Sequence, residues 1–329
     1  MHTRIFDWKG KNPETKDLNE LREILQNDGC VVFPTETVFG IGANALSDAA
    51  CGRIFSIKGR PADNPLIVHV SSFDMIDRIA YLDTAIKKKL SIFWPGPLTA
   101  ILRNRNASRT ATAGLDTVGI RMPRHHQARA LIESSGMPIA APSANLASRP
   151  SITRNSDAIK EFTGKVEAII LGEEPIFGLE STVIDPRPTP AVILRSGSYT
   201  KEDLEPVFPG IELFSGKLER PPTPGMKYRH YSPRKPLFLV RDIGRFVSIA
   251  RSMDSKSVPI CTEEIGKAIG RDFISLGNGE DMRTVARNLF AALNAFDSSQ
   301  FEVAYIHGFP ETGIGVTIMN RITKASTEI

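Results

Sequence analysis

The sequence predicts a two-domain α/β protein: a large twisted mixed sheet, then a linker, then a smaller parallel α/β domain. Three observations carry this expectation. The 329 residues are about twice the usual single-domain length. Short apolar strands at irregular spacing alternate with helical patterns through the first two-thirds, which fits a mixed sheet and not a strict βαβ repeat. Residues 208–236 then crowd Pro209, Pro221, Pro222, Pro224, Pro233 and Pro236 among Gly210, Gly216 and Gly225, a density that reads as a linker without regular structure. The expected division is 1–207, a linker over 208–236, and 237–329.

The elements follow in order. Asp17 can cap a helix whose apolar face is Leu18, Leu21 and Leu25, ending near Gly29. Cys30-Val31-Val32-Phe33 is a buried strand stopped by Pro34. Helical spacing returns from Ser47 to Ile57, and Leu66–Val70 is again a strand. Further strands are expected at 98–102, 118–122, 138–141, 167–171, 181–184 and 191–194, with helices at 126–135 and 155–162 between them. Beyond the linker, strands at 237–240, 258–261 and 303–306 alternate with helices at 244–253, 281–296 and 315–325. That order suggests a Rossmann-like parallel module.

Composition narrows the class. The hydrophobic fraction is 41% and the charged fraction 24%, as in a soluble globular protein. No apolar run approaches a bilayer span, and Met1–Asp7 lacks the apolar core of a secretory signal. Cys30, Cys51 and Cys261 make neither a C-x-x-C pair nor a disulfide framework, so the expected setting is cytoplasmic and reducing, with no structural metal. A net charge of +4 tolerates an anionic substrate without demanding nucleic acid.

Familiar catalytic signatures are missing. There is no P-loop and no G-x-S-x-G elbow, and the adjacent His125-His126 cannot share one helix face as metal ligands. Gly40-Ile41-Gly42-Ala43-Asn44-Ala45 matches the G-x-G-x-x-A dinucleotide pattern. It lacks the tight strand-to-helix turn, because Pro34–Thr37 interrupts the preceding strand. His69, inside a strand, reads by itself as a structural histidine. Lys58-Gly59-Arg60-Pro61 is more informative. A point charge beside a guanidinium fork on a loop after a helix suits a polyphosphate, although a solvated basic turn has the same residues. Ala141-Pro142-Ser143-Ala144-Asn145 places small polar residues at the carboxyl end of a buried strand, where α/β sheets take ligands, or makes an ordinary Asx turn.

Taken together, Lys58-x-Arg60, Ser143-x-Asn145, Phe33–Gly40, Phe93–Thr99, Thr112–Val118, Ile120–Pro123, Glu180–Asp185, Gly225–Pro233 and Met319–Ala325 resemble the YrdC-like L-threonylcarbamoyladenylate synthases in their long form with a C-terminal domain. The resemblance runs in order along nearly the whole chain. It implies a nucleotidyltransferase of YrdC-like fold that joins L-threonine, bicarbonate or CO2, and ATP into threonylcarbamoyl-adenylate and pyrophosphate. The product would feed threonylcarbamoyl modification of tRNA adenosine next to the anticodon, handed to a transferase complex. Mg2+ would accompany ATP.

Carried over position by position, Lys58, Arg60, Ser143 and Asn145 would form the reacting centre. ATP would also meet Ala62, Asn64, Thr117, Ala141, Ser151, Arg195 and Tyr231. Thr35, His69, Arg121 and Ser181 would line the threonine pocket, Arg121 suiting the carboxylate. The chain departs from the family at Ala147–Thr153 and at Leu194-Arg195-Ser196-Gly197, without loss of a charged ligand. The aromatic, basic strip Met226–Tyr231 is more than a tether needs, and is expected to cover bound nucleotide as a lid. An RNA-binding module is the competing reading, and a weak tRNA contact fits either. Against it, aromatics are 7% and the basic residues read as spread along the chain. A hydrogenase-maturation carbamoyltransferase would need zinc-finger and acylphosphatase segments that this length and three cysteines cannot supply.

Overall fold

The computed structural model describes residues 1–216, 222–223 and 231–329. Met226–His230, the centre of the expected lid, lies outside the described residues.

The first domain runs β1 (Arg4–Asp7), α1 (Thr15–Gln26), β2 (Val31–Phe33), β3 (Gly40–Asn44), α2 (Asp48–Lys58), β4 (Ile67–His69), α3 (Phe73–Asp77), β5 (Ala80–Tyr81), α4 (Thr84–Leu90), β6 (Leu98–Asn104), β7 (Thr117–Arg121), α5 (His126–Ser135), β8 (Ile139–Ala140), α6 (Asn155–Phe162), β9 (Ala168–Leu171), β10 (Thr182–Asp185), β11 (Val192–Arg195), α7 (Lys201–Leu204) and β12 (Glu212–Leu213). The second runs β13 (Leu237–Val240), α8 (Ile243–Ser252), β14 (Ser257–Cys261), α9 (Glu263–Ile269), β15 (Ile274–Ser275), α10 (Met282–Ser298), β16 (Val303–His307), α11 (Ile314–Ala325) and β17 (Thr327–Glu328).

Twelve strands form the first sheet in the order β1-β9-β2-β3-β8-β4-β7-β6-β10-β11-β12, with β5 paired to β6. Its pairings mix parallel and antiparallel, as at β4–β7 and β6–β7. The second sheet, β15-β14-β16-β13-β17, is parallel throughout. Both halves of the expected architecture are present.

Three local expectations change. Asp17 does not cap α1, which starts at Thr15, because Asp17 accepts a hydrogen bond from Trp8 Nε1 at 2.9 Å. Gly40 and Gly42 lie within β3 and not at a strand-to-helix turn, and a Cβ on Gly42 would stand 2.6 Å from Ile139 and 2.7 Å from Phe33. Close packing inside the sheet explains Gly42, and no dinucleotide loop exists there. The Pro/Gly-rich stretch also contributes β12, an edge strand in the proline-free interval between Gly210 and Gly216.

The domains share a core. Val38 and Leu179 of the first domain and Tyr231 of the linker join the cluster of Leu289, Phe290, Leu293 and Ile318 from α10 and α11. Apolar burial across the seam fixes where the second domain sits.

Candidate active site

α2 begins at Ser47, whose side chain accepts from the Ala50 N–H, and ends at Gly59, whose φ of 59° is the left-handed cap conformation that favours glycine. Lys58 is therefore the last helical residue, not a loop residue. Its side chain is buried, and Nζ donates to the backbone carbonyls of Ser143, at 2.6 Å, and of Asn145. Burial, and then the charge of Arg60, hold the Lys58 pKa well below the ordinary lysine value. An anion alongside would oppose that shift, the electrostatic signature of a site built for one. Arg60 follows the cap, with Nη2 donating to the carbonyls of Asn64 and Pro65 at 3.0 and 3.1 Å.

The Ser143–Asn145 loop leaves β8 and bridges to Gly40. Ser143 Oγ donates to Asn145 Oδ1 at 2.6 Å, and Asn145 Nδ2 donates to the carbonyls of Leu146 and Arg149. The asparagine thus braces its own loop, and Lys58 clamps the same loop from the opposite side.

These residues line one wall of a cavity of about 290 Å3. Thr35, His69, Arg121 and Ser181 line the other. Arg121 Nη2 lies 2.8 Å from Glu36 Oε1 in a buried ion pair and 3.5 Å from Thr35 Oγ1. Burial alone would raise the Glu36 pKa, but the charge and hydrogen bond of Arg121 hold it below the usual value. Arg121 Nε and His69 Nδ1 are buried without a hydrogen-bond partner among the described residues. Burial, reinforced by Arg121, pushes His69 down to about 3, so the ring is neutral near pH 7. Ser181 Oγ meets Thr99 Oγ1 at 2.8 Å, and Arg195 Nη2 donates to the Ser181 carbonyl at 2.7 Å.

Among the described residues four cations, Lys58, Arg60, Arg121 and Arg195, thus face the cavity, against one lining carboxylate, Glu180. Glu180 is already committed. It accepts from Ser151 Oγ at 2.9 Å and pairs with Arg321 Nε of the second domain at 3.1 Å. Tyr231 closes one side, buried with φ 69°, its ring stacked on Phe290 at 5.2 Å and under the Arg321 guanidinium at 5.2 Å.

Of the residues singled out from sequence, Asn64 and Ala141 also line the cavity. Ala62, Thr117 and Ser151 do not. Ala62 is exposed on the loop after Arg60, Thr117 is paired with Arg103 at the far end of β7, and Ser151 is fully buried behind Glu180. Sequence reasoning assigned no role to Glu36, Glu180 or Arg321. A signal existed for the first: Glu36 is the one charged residue between Asp28 and Asp48, in a stretch that folds into core. A metal site finds little support in the donor set. No group of three or more His, Cys, Asp or Glu side chains able to hold an ion occurs among the described residues. Nor is any helix there long and apolar enough to cross a membrane.

A family model for Sua5, YciO and YrdC proteins, described as telomere recombination, matches residues 23–197. A second, described as threonylcarbamoyl-AMP synthase, C-terminal domain, matches residues 199–327. The threonylcarbamoyl-AMP synthase of Pyrococcus abyssi is 41% identical, over 99% of this chain and 96% of its own. That of Bacillus subtilis is 39% identical, over 92% and 91%. Among solved structures, P. abyssi Sua5 complexed with L-threonine superposes with a TM-score of 0.89 at 37% identity, covering 99% of this chain and all of that one.

Proposed function

Because the chain belongs to the Sua5/YciO/YrdC family in its two-domain form, we propose that the cavity between Lys58 and Arg121 is where it makes threonylcarbamoyl-AMP. The activity is that of a threonylcarbamoyl-AMP synthase, whose product serves threonylcarbamoylation of tRNA. The observation that supports the site is the gathering of two chemically different groups of residues around one cavity, Lys58 and Arg60 in one and Arg121 with hydroxyl groups and a neutral imidazole in the other.

Threonine lies on the Arg121 wall. Its carboxylate meets the guanidinium, which has a buried N–H to spare, and its hydroxyl meets the neutral His69 ring or Ser181. ATP lies on the opposite wall with its phosphates against Lys58 and Arg60, and Arg195 and Tyr231 bound the nucleotide space. The threonine amine captures CO2 as a carbamate, and a carbamate oxygen attacks the α-phosphorus. The bond to the β-phosphate oxygen breaks, and pyrophosphate leaves. No protein nucleophile takes part. Positioning two anions together and neutralising charge on the leaving pyrophosphate carry the rate. Mg2+ arrives with the triphosphate as part of the substrate, since Glu180, the lining carboxylate, is held by Arg321. Tyr231 bounds the space of the labile mixed anhydride until a transferase complex receives it.

Incubating the purified protein with threonine, bicarbonate and MgATP should yield threonylcarbamoyl-AMP and pyrophosphate by mass detection, with none formed when threonine is omitted. ATP turnover indifferent to threonine would overturn the reading.

A further inference from the structure

A second cavity, of about 90 Å3, opens in the seam between the domains. It lies between α6 of the first domain and α10 of the second, against the loop that follows Asn145. Asn145 lines this cavity and the active-site cavity alike. Two adjoining stretches of chain pass from one to the other. Ser148 and Tyr231 line the active-site cavity, Arg149 and Arg234 line the seam cavity, and the Ser232 N–H donates to the Ser148 carbonyl at 2.8 Å between them. A molecule in the seam therefore bears on the same loop that Lys58 clamps.

The two cavities differ in charge. Where the active-site cavity gathers cations, the seam cavity sets Arg149, Lys160 and Arg234 against Asp157, Glu161 and Asp297, three of each sign. An inorganic anion here would sit beside three carboxylates, and a simple cation beside three cationic groups. Balanced lining suits a ligand that carries both charges.

Four of the six charged residues are already committed. Lys160 Nζ donates to Ser298 Oγ at 3.0 Å, and Glu161 pairs with Lys165 at 2.7 Å and with Arg234 at 3.9 Å. Asp297 Oδ1 accepts from the Arg234 N–H at 2.6 Å. The side chains of Arg149 and Asp157 have neither hydrogen bond nor ion pair among the described residues. Both are half-buried, and burial pushes the Asp157 carboxyl above its usual range against the charges of Arg154 and Lys160. A cation beside Asp157 would reverse that shift, and the Arg149 fork is open to a carboxylate.

Size narrows the ligand further. At the roughly 10–15 Å3 that each water needs, the cavity admits about six to nine non-hydrogen atoms. Alanine, serine and threonine fit, and an aromatic amino acid does not.

We propose that the seam cavity binds a small α-amino acid as its zwitterion, the carboxylate on Arg149 and the ammonium on Asp157. Leu146, Pro150 and Ile152 offer the side chain an apolar surface. Asn294 and Asp297 of the second domain complete the enclosure, so an occupant ties the domains together behind the reacting loop. A dicarboxylate or a diamine of the same length would leave one charge facing its like. The site is separate from the threonine pocket around Arg121, which shares with it only Asn145 among the described lining residues.

Equilibrium dialysis of the full-length protein against radiolabelled L-alanine, and separately L-threonine, is the test. Wild type should take up one equivalent of alanine and two of threonine, the second at the catalytic cavity. Asp157→Asn and Arg149→Gln each remove one charged contact. Each should weaken alanine binding about tenfold or more and leave a single equivalent of threonine. Acetate and methylammonium, each with one of the two charges, should displace no alanine, and neither should phenylalanine. Threonylcarbamoyl-AMP synthesis at limiting threonine should stay within twofold of wild type in both variants, which shows that they fold and separates this site from the catalytic reading. No alanine uptake by wild type, unchanged uptake in both variants, or displacement by acetate or methylammonium alone would each overturn the proposal, the second assigning the bound alanine to the catalytic cavity.

Discussion

Two buried arginine–glutamate pairs flank the cavity, and they differ in how completely they are satisfied. Arg321–Glu180 joins the domains. Arg321 also donates to the Ser196 carbonyl and to Asn320 Oδ1, and Glu180 also accepts from Ser151. Arg121–Glu36 lies within the first domain and leaves Arg121 Nε buried without a partner among the described residues. A saturated ionic network in a low-dielectric seam holds structure, whereas one with an unfilled donor is poised to accept a ligand. The first pair is a clasp and the second a receptor, although residue types, burial and distance are similar.

Breaking each pair should separate these roles. Arg321→Met strips Glu180 of its paired cation, leaving only the charge of Arg195 nearby, and removes the cation above Tyr231, which should cost about 3–5 kcal/mol by denaturant titration. Arg121→Met should destabilise comparably through Glu36, yet bound threonine should stabilise the Arg321 variant and not the Arg121 variant. Equal protection of both by threonine would erase the distinction.

The phosphate wall comes next in size. Lys58→Ala or Arg60→Ala should lower turnover about a hundredfold or more, the usual loss for one charged contact aimed at a transition state. Lys58 should lose stability as well, because the Ser143 and Asn145 carbonyls lose their donor. Arg60, half-exposed, should not. Near-wild-type turnover of both variants at saturating ATP would displace the triphosphate from this wall.

The same contrast explains what sequence could reveal. Helices 126–135 and 155–162 matched closely because apolar period and turn signals are local. The motif Lys58-x-Arg60 was visible as chemistry, but its division of labour was not. Whether Lys58 ends a helix or opens a loop depends on the positive-φ cap at Gly59 and on a carbonyl pair 85 and 87 residues away. β3 was hidden because Gly-Ile-Gly-Ala-Asn has no period-2 apolar pattern; Gly42 answers to Phe33 and Ile139 on neighbouring strands. Short β5 and β12 carry too few residues for any pattern. Arg321, in a helix with a strong apolar face, would be read as that helix's solvated edge, and only the second domain's placement makes it fully buried. Tyr231 was legible as an aromatic within a basic strip, but not as core. Its stacking on Phe290 means that Tyr231→Ala should lower stability together with synthesis, so Tyr231→Phe is the cleaner probe.

Glu36→Gln sharpens the receptor side. The amide keeps the shape and one acceptor but removes the charge that aims Arg121, so the KM for threonine should rise about tenfold while kcat stays within twofold. That pattern marks a positioning residue that acts through ground-state binding. An equal fall in kcat and kcat/KM would place Glu36 in the chemical step instead. Valine should be a poor substrate for wild type, because a site that hydrogen-bonds a hydroxyl leaves buried groups unpaired when it is missing.

The smallest effect near neutrality belongs to His69. Its folded-state pKa is about 3 against an ordinary value of 6.5, because burial and then the Arg121 charge both oppose a second positive charge. Above pH 6.5 the ring is neutral in folded and unfolded chains and contributes nothing to pH dependence. Below it the unfolded chain takes up a proton that the native ring refuses, so stability falls as pH falls, down to about pH 3. Between pH 7 and 6 the loss is under about 1 kcal/mol, and it approaches ~1.4 kcal/mol for each further unit. His69→Asn has no such proton to exclude. Denaturant midpoints from pH 7 to 4.5 should therefore fall more steeply for wild type than for the variant, with the two lines converging toward acid if the variant starts lower. Saturating threonine should raise the wild-type midpoints without changing their slope over this range, because a ring already neutral in the folded chain binds without releasing a proton. A wild-type line no steeper than that of the variant would show that the ring next to Arg121 is not kept neutral by its surroundings.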